Sequence, residues 1–174
     1  MAAELVRELQ LGLATSDAKA RKAWATEMVR QGIHLRDILF LFHGEEKTAQ
    51  RFMWFIGDLC QVDMEQVAET LPILFDLRDQ VPFPGMHRSV SKWLLETGVP
   101  EEVEGVAVPQ MLQWLADSRS CIASKSFSAK ALANLVRDGR LEAAQLLPIL
   151  EKESRHKNPA YASRIKKLIN RIRE

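Results

Sequence analysis

The stretch Leu71-Pro72-Ile73-Leu74 has two counterparts later in the chain, Val108-Pro109-Gln110-Met111-Leu112 and Leu147-Pro148-Ile149-Leu150. The three prolines lie 37 and 39 residues apart. A period in this range is typical of stacked helical pairs, in which each unit is too small to bury its own apolar face and gains a core only by packing against its neighbours. The repeat therefore predicts an all-α architecture built from stacked units.

Helical periodicity along the chain predicts ten segments that pair into five units of roughly 35 residues. Apolar residues follow helical spacing, as in Val67, Leu71 and Leu74, and the alternation that a strand needs is almost absent. The first helices of the pairs are predicted near residues 3–14, 35–42, 64–80, 101–117 and 141–153. The second helices are predicted near residues 17–31, 46–61, 87–97, 122–138 and 159–173.

Start and stop signals recur in the same register. Three second helices are followed by glycine, at Gly32, Gly98 and Gly139, where the left-handed C-cap conformation costs little. Asp63 and Asn158 suit N-cap positions, as does either Ser16 or Asp17. The repeated prolines fall inside first helices, where the missing N–H and the ring clash predict a bend at the same place in successive units.

This pattern resembles the HEAT repeat, in which a proline-kinked first helix and an acidic turn precede a second helix with a basic residue near its start. The clearest stretch runs from Thr15 to Arg21, and the basic position recurs in every unit: Arg21, Arg51, Arg88, Lys130 and Arg164. The first two units lack the proline, and the loop Pro82-Phe83-Pro84-Gly85 lacks an acidic residue. The resemblance implies a short right-handed α–α superhelix of about five pairs, forming a single domain over residues 1–174.

Composition places the chain among ordinary globular proteins. Its 174 residues are 47% hydrophobic and 27% charged, which is enough for a continuous core. No apolar run approaches the roughly 20 residues that span a bilayer, and the first residues lack the features of a secretion signal. We therefore expect a cytoplasmic protein that does not bind membranes. For Cys60 and Cys121, which have no CxxC spacing, two buried thiols are favoured over a disulfide.

Charge is distributed unevenly along the sequence. Residues 1–118 contain 11 basic and 18 acidic side chains, whereas residues 119–174 contain 13 and 5. In an elongated stack this asymmetry could steer an acidic partner to the C-terminal end or favour head-to-tail contacts. The alternative is a solvated set of lysines and arginines on outer helix faces.

The basic position of each unit also has two interpretations. One cation per second helix would lie along the concave surface and could bind acidic peptide or phosphate. The favoured alternative is that these side chains pair with turn carboxylates such as Asp17 and Glu45. Arg88, Lys130 and Arg164 have fewer acidic neighbours in the sequence and are the better candidates for external contacts.

The unit spanning residues 33–61 is apolar almost all round. In its second helix the core stripe is predicted as Phe52, Phe55, Ile56 and Leu59, which leaves Trp54 on a side shared with Asp58 and Gln61. Exposed Trp54 and Met53 would be typical binding anchors. The alternative is that neighbouring units cover both side chains.

Motifs for catalysis are lacking. The four histidines are scattered with no second ligand at metal spacing, and there is no HExxH, P-loop, GxGxxG or GxSxG. We therefore expect no catalytic residue, no metal and no cofactor. Tryptophans interleaved with cations would suit nucleic acid, and helical solenoids of this kind include alkylpurine DNA glycosylases, but no catalytic aspartate with flanking aromatic residues can be aligned.

The sequence thus predicts a non-catalytic scaffold for protein–protein interaction, monomeric or weakly self-associating. The alternative is a nucleic-acid-binding solenoid related to alkylpurine DNA glycosylases, which would use the basic C-terminal half. The predicted binding residues on the concave face are Arg51, Met53, Trp54, Arg88, Lys130 and Arg164.

Overall fold

The computed structural model describes residues 2–80 and 85–174, and within these ranges the fold is all-α, as predicted. The α-helices are α1 (Ala2–Gly12), α2 (Ala18–Arg30), α3 (Glu46–Cys60), α4 (Met64–Asp76), α5 (Met86–Thr97), α6 (Glu101–Ala116), α7 (Ile122–Arg137), α8 (Ala143–Glu153) and α9 (Pro159–Arg173). The same described ranges contain three 3-10 helices, which cover Leu13–Thr15, Leu35–His43 and Leu77–Asp79. Residues 82–84 of the proline-rich loop lie outside the described residues.

The chain divides into two compact units, Met1–Thr97 and Gly98–Glu174. In the first unit α1 packs on α2, the 3-10 helix Leu35–His43 packs on α3, and α4 packs on α5. The second helices also contact one another, because α3 packs against both α2 and α5. The single repeat domain and its right-handed superhelix stay predictions.

The second unit repeats this arrangement with two pairs. Helix α6 packs on α7, α8 packs on α9, and the second helices α7 and α9 pack against each other. Its core includes four aliphatic side chains that are almost completely buried: Leu132, Leu146, Leu150 and Ile165. Burial of these side chains against a neighbouring pair is the source of stability expected for a repeat architecture.

Helix ends follow the chemistry predicted from the sequence. Gly32, Gly98 and Gly139 have φ angles of 65°, 82° and 72°, a conformation that L side chains rarely adopt. Asp17 caps α2 through the Ala20 N–H, and Asn158 caps α9 through the Tyr161 N–H. The alternative N-cap at Ser16 was therefore wrong, since its hydroxyl donates to the Leu13 carbonyl instead.

Two first helices differ from the prediction. Residues 35–43 form a 3-10 helix rather than an α-helix, and their buried residues Leu35, Ile38 and Leu41 are spaced by three, the number of residues in one 3-10 turn. The helix predicted over 64–80 ends as an α-helix at Asp76. There the Arg78 guanidinium donates to the Phe75 carbonyl, satisfying one of the last acceptors of α4.

The repeated prolines lie inside the first helices, as predicted: Pro72 in α4, Pro109 in α6 and Pro148 in α8. In the described part of the chain, no helix is both long enough and apolar enough to cross a bilayer.

Candidate functional site

A cleft of about 490 Å³ lies on the second helices of the first unit. We call it the second-helix cleft and define it by the side chains that the argument below uses: Arg21 of α2, Trp54, Asp58 and Gln61 of α3, and Arg88 and Lys92 of α5. Trp93 and Met53 also contribute to its wall. The cleft combines aromatic surface with charges of both signs.

The sequence of α3 explains which residues reach the cleft. Trp54, Asp58 and Gln61 are spaced by four and three residues and therefore share one face of the helix. The other face carries Phe52, Phe55, Ile56 and Leu59, all fully buried as predicted. Burial of this apolar stripe fixes the rotation of α3 and turns Trp54 toward the cleft.

Trp54 is exposed, with 41% of its surface accessible, so the alternative in which neighbouring units cover it was wrong. Its indole contacts two guanidinium groups, those of Arg51 and Arg21, whose central carbons lie 4.4 and 5.5 Å from the ring centroid. Such cation–π contacts contribute about 0.5–1 kcal/mol each at exposed sites. They hold the ring in place as one wall of the cleft.

Met53 does not share this exposure. It is only 3% exposed, so its role as a second exposed anchor beside Trp54 was wrong. The position follows from the helix: Met53 lies one residue before Trp54, about 100° around α3, and turns toward the packed side. The sequence could not show this because every residue from Phe52 to Ile56 is apolar.

Arg21 pairs with Asp58 across the floor of the cleft. Its Nε donates to Asp58 Oδ2 at 2.9 Å, and both side chains are nearly buried. Asp17, the turn carboxylate nearest to Arg21, instead caps α2, and the Glu45 side chain makes no capping hydrogen bond at α3. The prediction of pairing with turn carboxylates was therefore wrong for Arg21, whose partner lies 37 residues away on the next second helix.

Arg88 lies at the opposite side of the cleft and is exposed. In the described ranges its guanidinium has no ion pair, whereas the neighbouring Lys92 pairs with Glu96 at 3.5 Å. Arg21 pairs with Asp58 and Lys92 pairs with Glu96, so among the described residues Arg88 is the cation of this cleft that is left to bind an external carboxylate or phosphate. It shares the cleft with the exposed carboxylate of Glu46.

The remaining predicted residues lie in the second unit. Lys130 of α7 and Arg164 of α9 line a groove of about 300 Å³, together with Lys167, Arg171, Ile165, Leu168 and Ser126. We call this the α7–α9 groove. Sequence analysis took one basic residue from each unit and so missed Lys167 and Arg171. Their spacing of three and seven residues from Arg164 was the signal that could have revealed them.

Two polar side chains of α3 are constrained by their surroundings. The Asp58 carboxylate is held by Arg21, and burial together with the nearby Glu96 carboxylate raises the pKa of the Cys60 thiol to about 11. Within residues 2–80 and 85–174, no group of three histidine, cysteine, aspartate or glutamate residues is placed to hold a metal ion. The side chains of the cleft and the groove present aromatic, apolar and charged surface.

The two cysteines should differ sharply in reactivity. Both are free, but Cys60 is buried whereas Cys121 is exposed at the start of α7, so the prediction of two buried thiols was wrong for Cys121. Because the thiolate is the reactive form and the pKa of Cys60 is raised, we expect one thiol to react quickly with Ellman's reagent at pH 8 and the second only after denaturation. A Cys121→Ser variant should lose the fast reaction, and retention of that reaction would contradict this assignment.

Comparison of the chain with protein-family models, curated proteins and solved structures finds no significant match, so membership of the HEAT-repeat family stays a prediction from the sequence.

Proposed function

We propose that this protein is a non-catalytic scaffold that binds another protein through its second helices. The observation that carries the proposal is Trp54, which is exposed and in contact with two guanidinium groups, in a cleft that also contains Arg88, a side chain without an ion pair among the described residues. Tryptophan and arginine are the residues most enriched among energetic anchors of protein interfaces. In the proposed right-handed superhelix, the second helices form the concave surface on which a partner would bind.

The chemistry of the cleft favours a partner segment with one apolar or aromatic side chain and a neighbouring carboxylate. The indole of Trp54 offers a flat apolar surface, and Arg88 offers a planar donor pair for a carboxylate. The Arg21–Asp58 pair and the Lys92–Glu96 pair are internally neutralised, so they shape the cleft without competing for the partner. The free thiols of both cysteines support a reducing compartment, and we place the protein in the cytoplasm on that ground.

The test is selection of binders from a random peptide library displayed on phage, followed by fluorescence polarisation with a selected peptide. We expect enriched peptides to combine an apolar residue with aspartate or glutamate. Trp54→Ala and Arg88→Glu should each weaken binding of that peptide by tenfold or more. Two exposed residues outside the cleft provide matched controls, Phe40→Ala and Arg7→Glu, which should change the Kd less than twofold.

Failure of the selection to enrich any peptide would contradict this function. So would a selected peptide that binds Trp54→Ala and Arg88→Glu as tightly as the wild-type protein. Circular dichroism of all four variants establishes that a loss of binding is not a loss of fold.

A nucleic-acid-binding solenoid related to alkylpurine DNA glycosylases is the second candidate. The observation that favours it is the placement of Trp54 and Asp58 one helical turn apart in the same cleft, with arginines on either side. Fluorescence anisotropy of a labelled duplex and a labelled single strand at about 50 and 200 mM salt separates the two functions. Several phosphate contacts would lower affinity by orders of magnitude over that range, and absence of binding at the lower salt would remove this candidate.

A further inference from the structure

The α7–α9 groove concentrates positive charge without an internal counter-charge. Lys130, Arg164, Lys167 and Arg171 line it, and all four are exposed. In the described part of the chain none of them forms an ion pair or a side-chain hydrogen bond. Four like charges around about 300 Å³ repel one another, and an anionic occupant would relieve that repulsion.

Two acidic side chains of the neighbouring helix α8 are engaged elsewhere. Glu153 of α8 is buried and accepts hydrogen bonds from Lys125 and Tyr161, and Glu151 pairs with Arg173. Among the described residues, no aspartate or glutamate side chain lines the groove. The groove therefore keeps its full charge for an external ligand.

The cations follow a regular spacing on α9. Arg164, Lys167, Leu168 and Arg171 occupy positions i, i+3, i+4 and i+7, which form one stripe along the helix. At 1.5 Å per residue, the stripe extends about 10 Å, or two turns. Carboxylates one turn apart on the helix of a partner protein would have the same spacing.

The floor of the groove is apolar. Ile165 is buried and Leu168 is half-buried between the cations, and none of the aromatic side chains that the structure describes lines the groove. An apolar floor has no counterpart on a phosphate backbone, and without aromatic rings the groove has no platform on which bases could stack. Both features favour a peptide that carries apolar as well as acidic side chains.

The groove is also rigidly supported. Lys125 of α7, Glu153 of α8 and Tyr161 of α9 are joined by hydrogen bonds of 2.8 and 3.0 Å on the buried side. This network fixes α7 and α9 relative to each other. A preformed groove loses little conformational entropy when it binds.

We propose that the α7–α9 groove binds an acidic amphipathic helix of a partner protein, an inference that rests on the proposed function of the second helices in protein binding. Carboxylates one turn apart contact Arg164, Lys167 and Arg171. An apolar side chain between them packs on Leu168 and Ile165. Lys130 binds the helix from the α7 side.

The probe for this site is a fluorescein-labelled helical peptide of about 16 residues with glutamates at i, i+3 and i+7 and leucines between them. Its Kd is measured by fluorescence polarisation against the full chain at about 50 mM salt. Two comparison peptides replace all glutamates by glutamine or all leucines by serine. We expect the parent peptide to bind at least tenfold more tightly than either one.

The protein variants test the location. The double variant K167E/R171E should weaken binding of the parent peptide by tenfold or more. The matched control K152E/K166E changes the net charge equally at two exposed positions that do not line the groove, and it should leave the Kd within about twofold. Circular dichroism establishes that both variants remain folded.

Three results would overturn the inference: no binding of the parent peptide at millimolar concentration, equal binding of the serine peptide, or tighter binding of duplex DNA than of the peptide. The proposed function is tested separately, by whether the library yields a binding peptide and whether Trp54→Ala and Arg88→Glu weaken its binding. If those variants lose their peptide while K167E/R171E keeps the acidic helix, only the inference about the groove is wrong.

Discussion

Replacement of Lys125 by alanine is expected to destabilise the protein by about 3–5 kcal/mol. The Lys125 ammonium group donates to Glu153 Oε2 at 2.8 Å, and the two side chains are only 3% and 8% exposed. Without the ammonium group, the Glu153 carboxylate remains in a site that excludes water. Burying an unpaired charge costs far more free energy than burying the same charge together with its partner.

Tyr161 does not replace the lost charge. Its hydroxyl donates to the same glutamate oxygen at 3.0 Å, and burial together with the Glu153 carboxylate raises the pKa of the phenol above its usual range. The phenol therefore stays protonated at neutral pH and gives Glu153 one neutral hydrogen bond. One such bond contributes about 1 kcal/mol, which is much less than the charge pair loses.

Urea denaturation followed by circular dichroism measures this effect as a fall in the midpoint. Lys130→Ala, an exposed change on the same helix, should shift the free energy of unfolding by no more than about 0.5 kcal/mol. The double variant K125M/E153Q removes both charges and leaves an amide oxygen for Tyr161, so it should recover most of the loss. A loss below about 1 kcal/mol for Lys125→Ala would contradict the argument.

Phe52→Ala is expected to cost a similar 3–5 kcal/mol in the first unit. Phe52 is fully buried, and its ring lies 4.8 Å from that of Phe42 in an edge-to-face arrangement and 6.0 Å from that of Phe55. It therefore joins α3 to the 3-10 helix Leu35–His43. Removing the ring leaves a cavity between these two helices, because their other contacts keep them from moving together to fill the space.

Thermal and urea denaturation measure the loss, and Phe40→Ala is the matched control because Phe40 belongs to the same 3-10 helix but is 46% exposed. The control should change the free energy of unfolding by about 0.5 kcal/mol or less. Phe52→Leu should lower the free energy of unfolding by an amount between those of Phe52→Ala and Phe40→Ala, since leucine keeps part of the buried volume. Equal losses of unfolding free energy for Phe52→Ala and Phe40→Ala would contradict the argument that the packing of Phe52 against Phe42 and Phe55 stabilises this unit.

Local signals predicted the helices well because the residues that create them act over a few positions. Asp17 and Asn158 cap helices through hydrogen bonds to residues three positions on, and Gly139 ends α7 through its own backbone conformation. The helix type of Leu35–His43 was harder to predict, because a spacing of three residues fits both a 3-10 helix and an α-helix over such a short segment. Only tertiary packing decides between them.

Contacts between residues that are distant in the sequence limited how much of the candidate site could be predicted. The helical wheel correctly placed Trp54, Asp58 and Gln61 on one face of α3. The partner of Arg21 could not be predicted, because Asp58 lies 37 residues away and Asp17 is much nearer in sequence. Met53 was misplaced for a related reason: an apolar pattern on all sides does not show which side chain faces the neighbouring pair.

The prolines inside α4, α6 and α8 have a consequence for how these helices open. Proline has no N–H, so Pro72, Pro109 and Pro148 cannot donate to the carbonyls of Ala68, Gly105 and Ala144, four residues earlier. Each of these three helices therefore lacks one backbone hydrogen bond in its interior, where helices are normally best protected. Local unfolding should begin at these interior turns as well as at the ends, so water reaches the middle of a first helix before it reaches the middle of a second one.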